Sequence, residues 1–184
     1  MLYMFLADGF EETEAIGALD VIRRADIDIQ TVGVGAKTVC GSHGVKVEAD
    51  ITADEIDYEK IDGVILPGGM PGTVNLQNSS EVIRVVKYCA ENDKIVAAIC
   101  AAPMILGQLE LLRGKHATCF PGYEKDLIGA EATGEYAVSD GKFITGRGAG
   151  AAMLFGAKIV DAIKPGQGVE ILKQMQHPLN GQDR

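Results

Sequence analysis

Short, nearly unbroken apolar runs alternate along this chain with segments whose apolar residues return every three or four positions. The first run, Leu2 to Ala7, leads through Asp8-Gly9 to an acidic helix start at Glu11 to Glu14. Ala15, Leu19 and Ile22 then recur at helical spacing to about Arg24. Ile27 to Val34 reads as a second strand, and Thr38 to Ile51 as two short segments of a hairpin around Gly41 to Gly44. Gly63 to Leu66 predicts a buried strand that stops at Pro67-Gly68-Gly69. Ser79 or Ser80 caps the next helix, whose Val82, Val85, Val86 and Cys89 share one face. Lys94 to Ile99 is strand-like and delivers Cys100 at its end, ahead of a helix predicted over Ala101 to Leu112 with Pro103 in its first turn. His116 to Phe120 reads as a short strand. Tyr136 to Val138 and Lys142 to Thr145 flank a hairpin turn, and Ala149 to Ile163 is a largely apolar helix.

Strands apolar on both sides must be covered on both faces, so the alternation predicts an α/β protein with a mostly parallel sheet between helical layers. No repeat or linker divides the chain. One domain is expected over 1–175, with 176–184 a frayed polar tail. In such sheets the ligand crevice lies outside the carboxyl ends of the strands, which singles out the loops after Ala7, Leu66 and Ile99.

Composition narrows the partners. With 184 residues, the chain is long enough to bury roughly 70% of its unfolded surface. Its 17 Lys+Arg against 26 Asp+Glu give a net charge of −9, which argues against a nucleic acid held by bulk charge. The apolar run Ile95 to Leu106 is too short to span a bilayer and contains Pro103. The opening MLYMFLADGFEE lacks the positive region of a secretory signal, so a cytoplasmic location with reduced thiols is expected. Cys40, Cys89, Cys100 and Cys119 form no CxxC pair, and the three histidines make no metal-ligand pair by spacing. No metal or cofactor is expected.

Cys100 carries the most chemistry. In AAICAAPM it stands at a strand-to-helix transition, where a sharp turn exposes a thiol and a helix N-terminus favours thiolate. The alternative is a small buried hydrophobe. A carboxylate from the Glu11, Glu12, Glu14 run could exchange a proton with that thiol, although acids are also what any helix N-terminus attracts, and spacing does not choose among the three. Pro67-Gly68-Gly69-Met70-Pro71-Gly72 offers backbone N–H groups for an oxyanion, or a plain turn. Cys89 and Cys119 read as core residues and His43 as a turn residue. Gly146-Arg147-Gly148-Ala149-Gly150 meets neither phosphate-loop spacing, which leaves Arg147 to a structural ion pair.

Four motifs in series, FLADGFEETEAIGALDVIRRA, VILPGGMPG, AAICAAPMIL and TGRGAGAA, resemble the DJ-1/ThiJ/PfpI superfamily, closest to its short single-domain branch, from residue 2 to about 175. The resemblance implies a flavodoxin-like three-layer α/β/α sandwich with a small β-hairpin, and commonly a homodimer, for which His43 lies in a contact segment. It places the reactive cysteine on Cys100, its acidic partner on Glu14, and the backbone donors on Gly69 and Ala101. One departure is visible. Many members place a histidine near the cysteine in the segment that here reads ATCFPG, whereas this chain has Cys119-Phe120-Pro121 there and His116 earlier. Proton transfer then falls to Glu14 or water.

The resemblance implies a cysteine-dependent enzyme acting on small reactive carbonyls, of the glutathione-independent glyoxalase III or deglycase type. The rival expectation is a redox-sensing, protective protein working through Cys100 oxidation to a sulfinic acid. A third, ThiJ-type thiazole-monophosphate biosynthesis, lacks a phosphate cradle in the chain.

Overall fold

The computed structural model describes residues 1–178. In chain order the strands are β1 (Leu2–Leu6), β2 (Ile29–Gly33), β3 (Thr38–Cys40), β4 (Lys46–Glu48), β5 (Ile51–Thr52), β6 (Gly63–Leu66), β7 (Ile95–Ile99), β8 (His116–Ala117), β9 (Glu131–Ala132), β10 (Ala137–Asp140) and β11 (Phe143–Gly146). The helices are α1 (Glu12–Arg24), α2 (Gly72–Asn78), α3 (Ser80–Glu91), α4 (Pro103–Gln108), α5 (Ala152–Ile163) and α6 (Gln167–Gln174). Seven strands form one sheet in the order β10-β11-β7-β6-β1-β2-β5. All its pairings are parallel except β10 with β11.

The period of two in each strand divides the core into two layers. On β1, Tyr3 and Phe5 join one cluster while Leu2, Met4 and Leu6 join the other. Val64 and Leu66 of β6 and Val96 and Ala98 of β7 face the first cluster, with Val82, Val85, Val86 and Cys89 of α3 and Ile105 and Leu106 of α4. Ile65, Ala97 and Ile99 face the second, with Ala15, Ala18 and Ile22 of α1 and Phe155, Ile159 and Val160 of α5. The result is the expected flavodoxin-like three-layer sandwich. The small hairpin is β3 with β4, antiparallel.

Several local expectations shift for identifiable reasons. The helix after Cys100 starts at Pro103 and ends at Gln108 rather than Leu112. Gly107 lets it pack directly on the next loop, because a Cβ there would lie 2.1 Å from the Asp126 carbonyl oxygen. The strand expected over His116 to Phe120 is only His116–Ala117, paired with β9. α2 and α6 lie outside the helices expected from apolar periodicity. α2 is a seven-residue helix whose Leu76 is buried in the first core layer, and α6 follows Pro165-Gly166. Within α6, Gly168 lies so close to α5 that a Cβ would sit 2.3 Å from the Ala157 carbonyl oxygen. At the end of α6, the His177 N–H donates to the Leu172 carbonyl and that of Gln176 to Lys173, with Gln176 in the left-handed region at φ 56°, which closes the helix. The rest of the expected frayed tail, 179–184, lies outside the described residues.

Candidate active site

The sheet winds outward from β1, to β2 on one side and β6 on the other, so the loops after β1 and β6 separate and leave a crevice between them. Their backbones meet across it. The Glu11 N–H donates to the Gly68 carbonyl at 2.9 Å, and the Gly72 N–H to the Gly9 carbonyl at 3.1 Å. At Gly68 the loop after β6, α1 and the end of β7 come together. A Cβ on Gly68 would stand 2.5 Å from Cys100 Cβ, 2.7 Å from Glu14 Oε2 and 2.9 Å from the Ile99 carbonyl oxygen.

Cys100 follows β7 at φ 66°, a left-handed conformation that an L side chain adopts only when its surroundings hold it there. Two backbone hydrogen bonds do so. The Cys100 N–H donates to the Gly146 carbonyl at 2.9 Å, and its carbonyl accepts from the Phe120 N–H at 2.7 Å. The turn presents the partly exposed thiol to the crevice, where the N–H groups of Ala101 and Gly69 face the sulfur.

Glu14 comes to the same point from α1. Glu11 caps that helix, its carboxylate accepting from the Glu14 N–H at 2.6 Å. The Glu14 side chain then turns inward to 1% exposure, with Oε2 accepting from the Gly68 N–H at 2.9 Å and the carboxyl within hydrogen-bonding reach of the Cys100 thiol. The structure therefore brings together all four expected residues, Cys100, Glu14, Gly69 and Ala101. It adds Gly68, whose N–H holds the carboxyl. The Pro-Gly-Gly string carried that signal, but only the fold shows which glycine serves Glu14 and which serves the sulfur.

Burial sets the electrostatics. It pushes the Glu14 carboxyl up to about 7, reinforced by the charge of Glu11 and opposed by the bonds to Cys100 and the Gly68 N–H. The Cys100 thiol is pushed up to about 12 by burial, then by the charge and hydrogen bond of Glu14, against the Ala101 and Gly69 N–H groups. This corrects the expectation that a helix N-terminus would favour thiolate, since α4 is only six residues long and starts three positions later. The repulsive part of the rise needs an ionised Glu14. When Glu14 holds its proton that repulsion vanishes, and the carboxyl becomes a donor to the sulfur. The pair behaves as two bases competing for one proton.

The model for the family described as "DJ-1/PfpI family" matches residues 1–162. The chain belongs to the DJ-1/PfpI family. Protein dj-1beta of Drosophila melanogaster is 34% identical over 163 residues, 87% of each chain. The crystal structure of Drosophila DJ-1beta superposes with a TM-score of 0.89 at 32% identity, covering 97% of this chain and 98% of that one. A deglycase of Pyrococcus horikoshii is 31% identical over 151 residues, 80% of this chain and 90% of the relative. The chain spans only 36% of Protein DJ-1 homolog B of Arabidopsis thaliana, to which it is 35% identical over 158 residues.

Within this DJ-1/PfpI chain, no histidine is among the groups that act on the Cys100 sulfur in the described residues. The ring of His116 pairs with Glu131 at 3.3 Å and Asp140 at 3.5 Å. Register places Asp140 opposite Phe143 and Val96, three rungs or about 10 Å along the sheet from the Gly146–Ile99 rung beside Cys100. His43 is exposed and pairs with Glu12 at 2.9 Å. Glu11, Glu12 and His43 bring donor atoms within 4.8 Å of one another, a grouping invisible to spacing because His43 comes from the β3–β4 turn. The His43 ring and N–H already donate to Glu12, so the cluster is internally paired. Cys89 and Cys119 pack in the first core layer. Among the described residues Arg147 makes no ion pair, contrary to expectation, and lies over the Tyr136 ring instead.

Proposed function

We propose that the chain is a glutathione-independent enzyme of the glyoxalase or deglycase type, with Cys100 as nucleophile and Glu14 as acid–base partner. The observation that carries this reading is a buried carboxyl, raised to about 7, facing a thiol at a strained turn with two N–H groups beside it. The deglycase name of the Pyrococcus horikoshii relative supports it. Glu14 as carboxylate takes the thiol proton as the sulfur adds to the aldehyde carbon of a 2-oxoaldehyde. The Gly69 and Ala101 N–H groups stabilise the developing oxyanion, and Glu14 then hands that proton to the oxygen. Glu14, again a carboxylate, removes the hydrogen on that carbon and returns it to the neighbouring carbon, while the hydroxyl proton passes to the neighbouring oxygen, leaving a 2-hydroxy thioester. Water cleaves the thioester to a 2-hydroxy acid and restores the thiol. The net change adds one water and needs no oxidant or reductant. The protein works in the cytoplasm as a homodimer in this reading, with His43 at the interface.

Methylglyoxal supplied without glutathione should yield lactate, followed by NMR, and Cys100→Ser should lower the rate by at least about 100-fold. Equal lactate from both proteins removes Cys100 from the mechanism. A second reading, oxidative sensing through a Cys100 sulfinate bonded to Glu14, is favoured by the same contact and by the similarity to a Toxoplasma gondii DJ-1 solved in oxidized form, TM-score 0.91 at 26% identity. It requires mild peroxide to add two oxygens selectively at Cys100, read by mass spectrometry.

A further inference from the structure

Arg23, Arg24 and Arg113 each pair with a carboxylate. Arg147 does not pair with one among the described residues. It is half-buried, with its guanidinium carbon 6.0 Å from the centroid of the Tyr136 ring and its own N–H donating to the Tyr136 carbonyl at 2.9 Å. Phe120 stands nearby, 48% exposed, and Tyr136 is 61% exposed. Gly148 seats its backbone against Phe120, since a Cβ there would lie 3.2 Å from that ring. Phe120, Tyr136, Arg147 and the 148–151 turn line a cavity of about 330 Å³, at the low end of the range that small ligands occupy.

This cavity is framed by the same backbone that holds the nucleophile. The Phe120 N–H bonds the Cys100 carbonyl, and the Cys100 N–H bonds the carbonyl of Gly146, the residue before Arg147. It combines apolar walls with one cation that has no counter-charge among the described residues, in a chain whose net charge of −9 repels anions in general. A planar guanidinium on an aromatic face, partly withdrawn from water, suits a carboxylate fork to fork. We infer that Arg147, Phe120 and Tyr136 form a second subsite, which holds the distant carboxylate and apolar spacer of the reactive carbonyl compound whose aldehyde reaches Cys100. The inference rests on the carbonyl reading above and names the substrate class within it. Arg147 is a specificity residue here, and Phe120 is an apolar wall of the subsite.

Phenylglyoxal and 4-carboxyphenylglyoxal differ only in the distant carboxylate and separate the two ideas. The wild-type protein should favour the carboxylated compound by about tenfold in kcat/KM. Arg147→Gln should bring the ratio to about 1, and Arg147→Lys, which keeps the charge but loses the fork, should retain part of it. A wild-type ratio of 1, or a ratio undiminished in Arg147→Gln, overturns the subsite while leaving the carbonyl reading standing. If the wild type turns over neither compound, the carbonyl reading fails. The subsite is then judged by calorimetric titration with 4-(hydroxymethyl)benzoate, an unreactive carboxylate of similar shape. Its binding must weaken at least about tenfold in Arg147→Gln, and unchanged binding overturns the subsite.

Discussion

Glu12 and Glu14 lie two residues apart on α1, about 200° around the helix, and the fold gives them opposite acid strengths. Glu12 points outward to the β3–β4 turn. Burial there opposes its charge, but the His43 ring at 2.9 Å and the N–H groups of His43 at 2.7 Å and Val45 at 3.3 Å draw the carboxyl down to about 2. Glu14 points inward and receives one backbone N–H, that of Gly68, against heavier burial, so its carboxyl rises to about 7. The contrast shows that the number of donors a carboxylate meets, set by which face of the helix it occupies, decides what it does. The outer acid ties a hairpin to the helix. The inner one is left able to exchange a proton near neutral pH.

Glu14→Gln tests the inner side of the contrast most directly. Loss of the acid–base partner should lower methylglyoxal turnover by about 100- to 10,000-fold and abolish the limb of the pH–rate profile near pH 7. Stability should respond with a definite sign. The folded-state value near 7 lies above the ordinary 4.5, so the folded protein keeps a proton that the unfolded chain releases first. The stability of wild type relative to Glu14→Gln is therefore greatest below pH 4.5. It should fall by roughly 3 kcal/mol as pH rises to about 7, measured by urea denaturation across that range. A flat difference would mean that Glu14 is ionised throughout and that burial does not control it.

Gly68→Ala asks whether the inner site depends on close approach. The added methyl would collide with the elbow of Cys100 and the oxygen of Glu14 at once. Separating them should cost about 100-fold in turnover and about 1–3 kcal/mol in stability by chemical denaturation. Near-wild-type turnover would show that the carboxyl–thiol contact is not needed for the reaction.

The fold was legible because β1, β6 and β7 are apolar on both faces and α1 and α3 carry clear helical stripes. α2 and α6 escaped because each is only seven or eight residues long, too short for its apolar period to stand out. Leu76 of α2 and Ile171 and Leu172 of α6 are nonetheless buried in the core, and glycine contacts, at Gly72 against Phe10 and Gly168 against Ala157, seat both helices. Cys100 was legible for a similar local reason, as a cysteine placed where a strand meets a turn. Glu14 was not separable from Glu11 and Glu12 by pattern; the resemblance chose it, and the helix rotation explains the choice. The His43–Glu12 pair and the Arg147 cavity are long-range. Each joins segments more than ten residues apart, so only the folded chain could bring them to notice.

Glu12→Gln probes the outer side and should have the smallest effect. The substituted amide keeps some of the N–H bonds but loses the charge that strengthens them, and the exposed His43 ring is screened by water. The expected loss is therefore about 1 kcal/mol at neutral pH. The sign of its pH dependence must be opposite to that of Glu14. Because the folded-state value of Glu12 is depressed to about 2, its contribution is present above the ordinary 4.5 and lost as pH falls toward 2. Wild type minus Glu12→Gln should thus gain stability as pH rises from 2 to 4.5, where wild type minus Glu14→Gln has not yet begun to fall. The Glu12 variant should also keep the wild-type pH–rate profile for methylglyoxal. If the two stability differences slope the same way, or if Glu12→Gln displaces the limb near pH 7, the acids are not separated by helix face, and the hairpin contact is part of the proton-exchanging site.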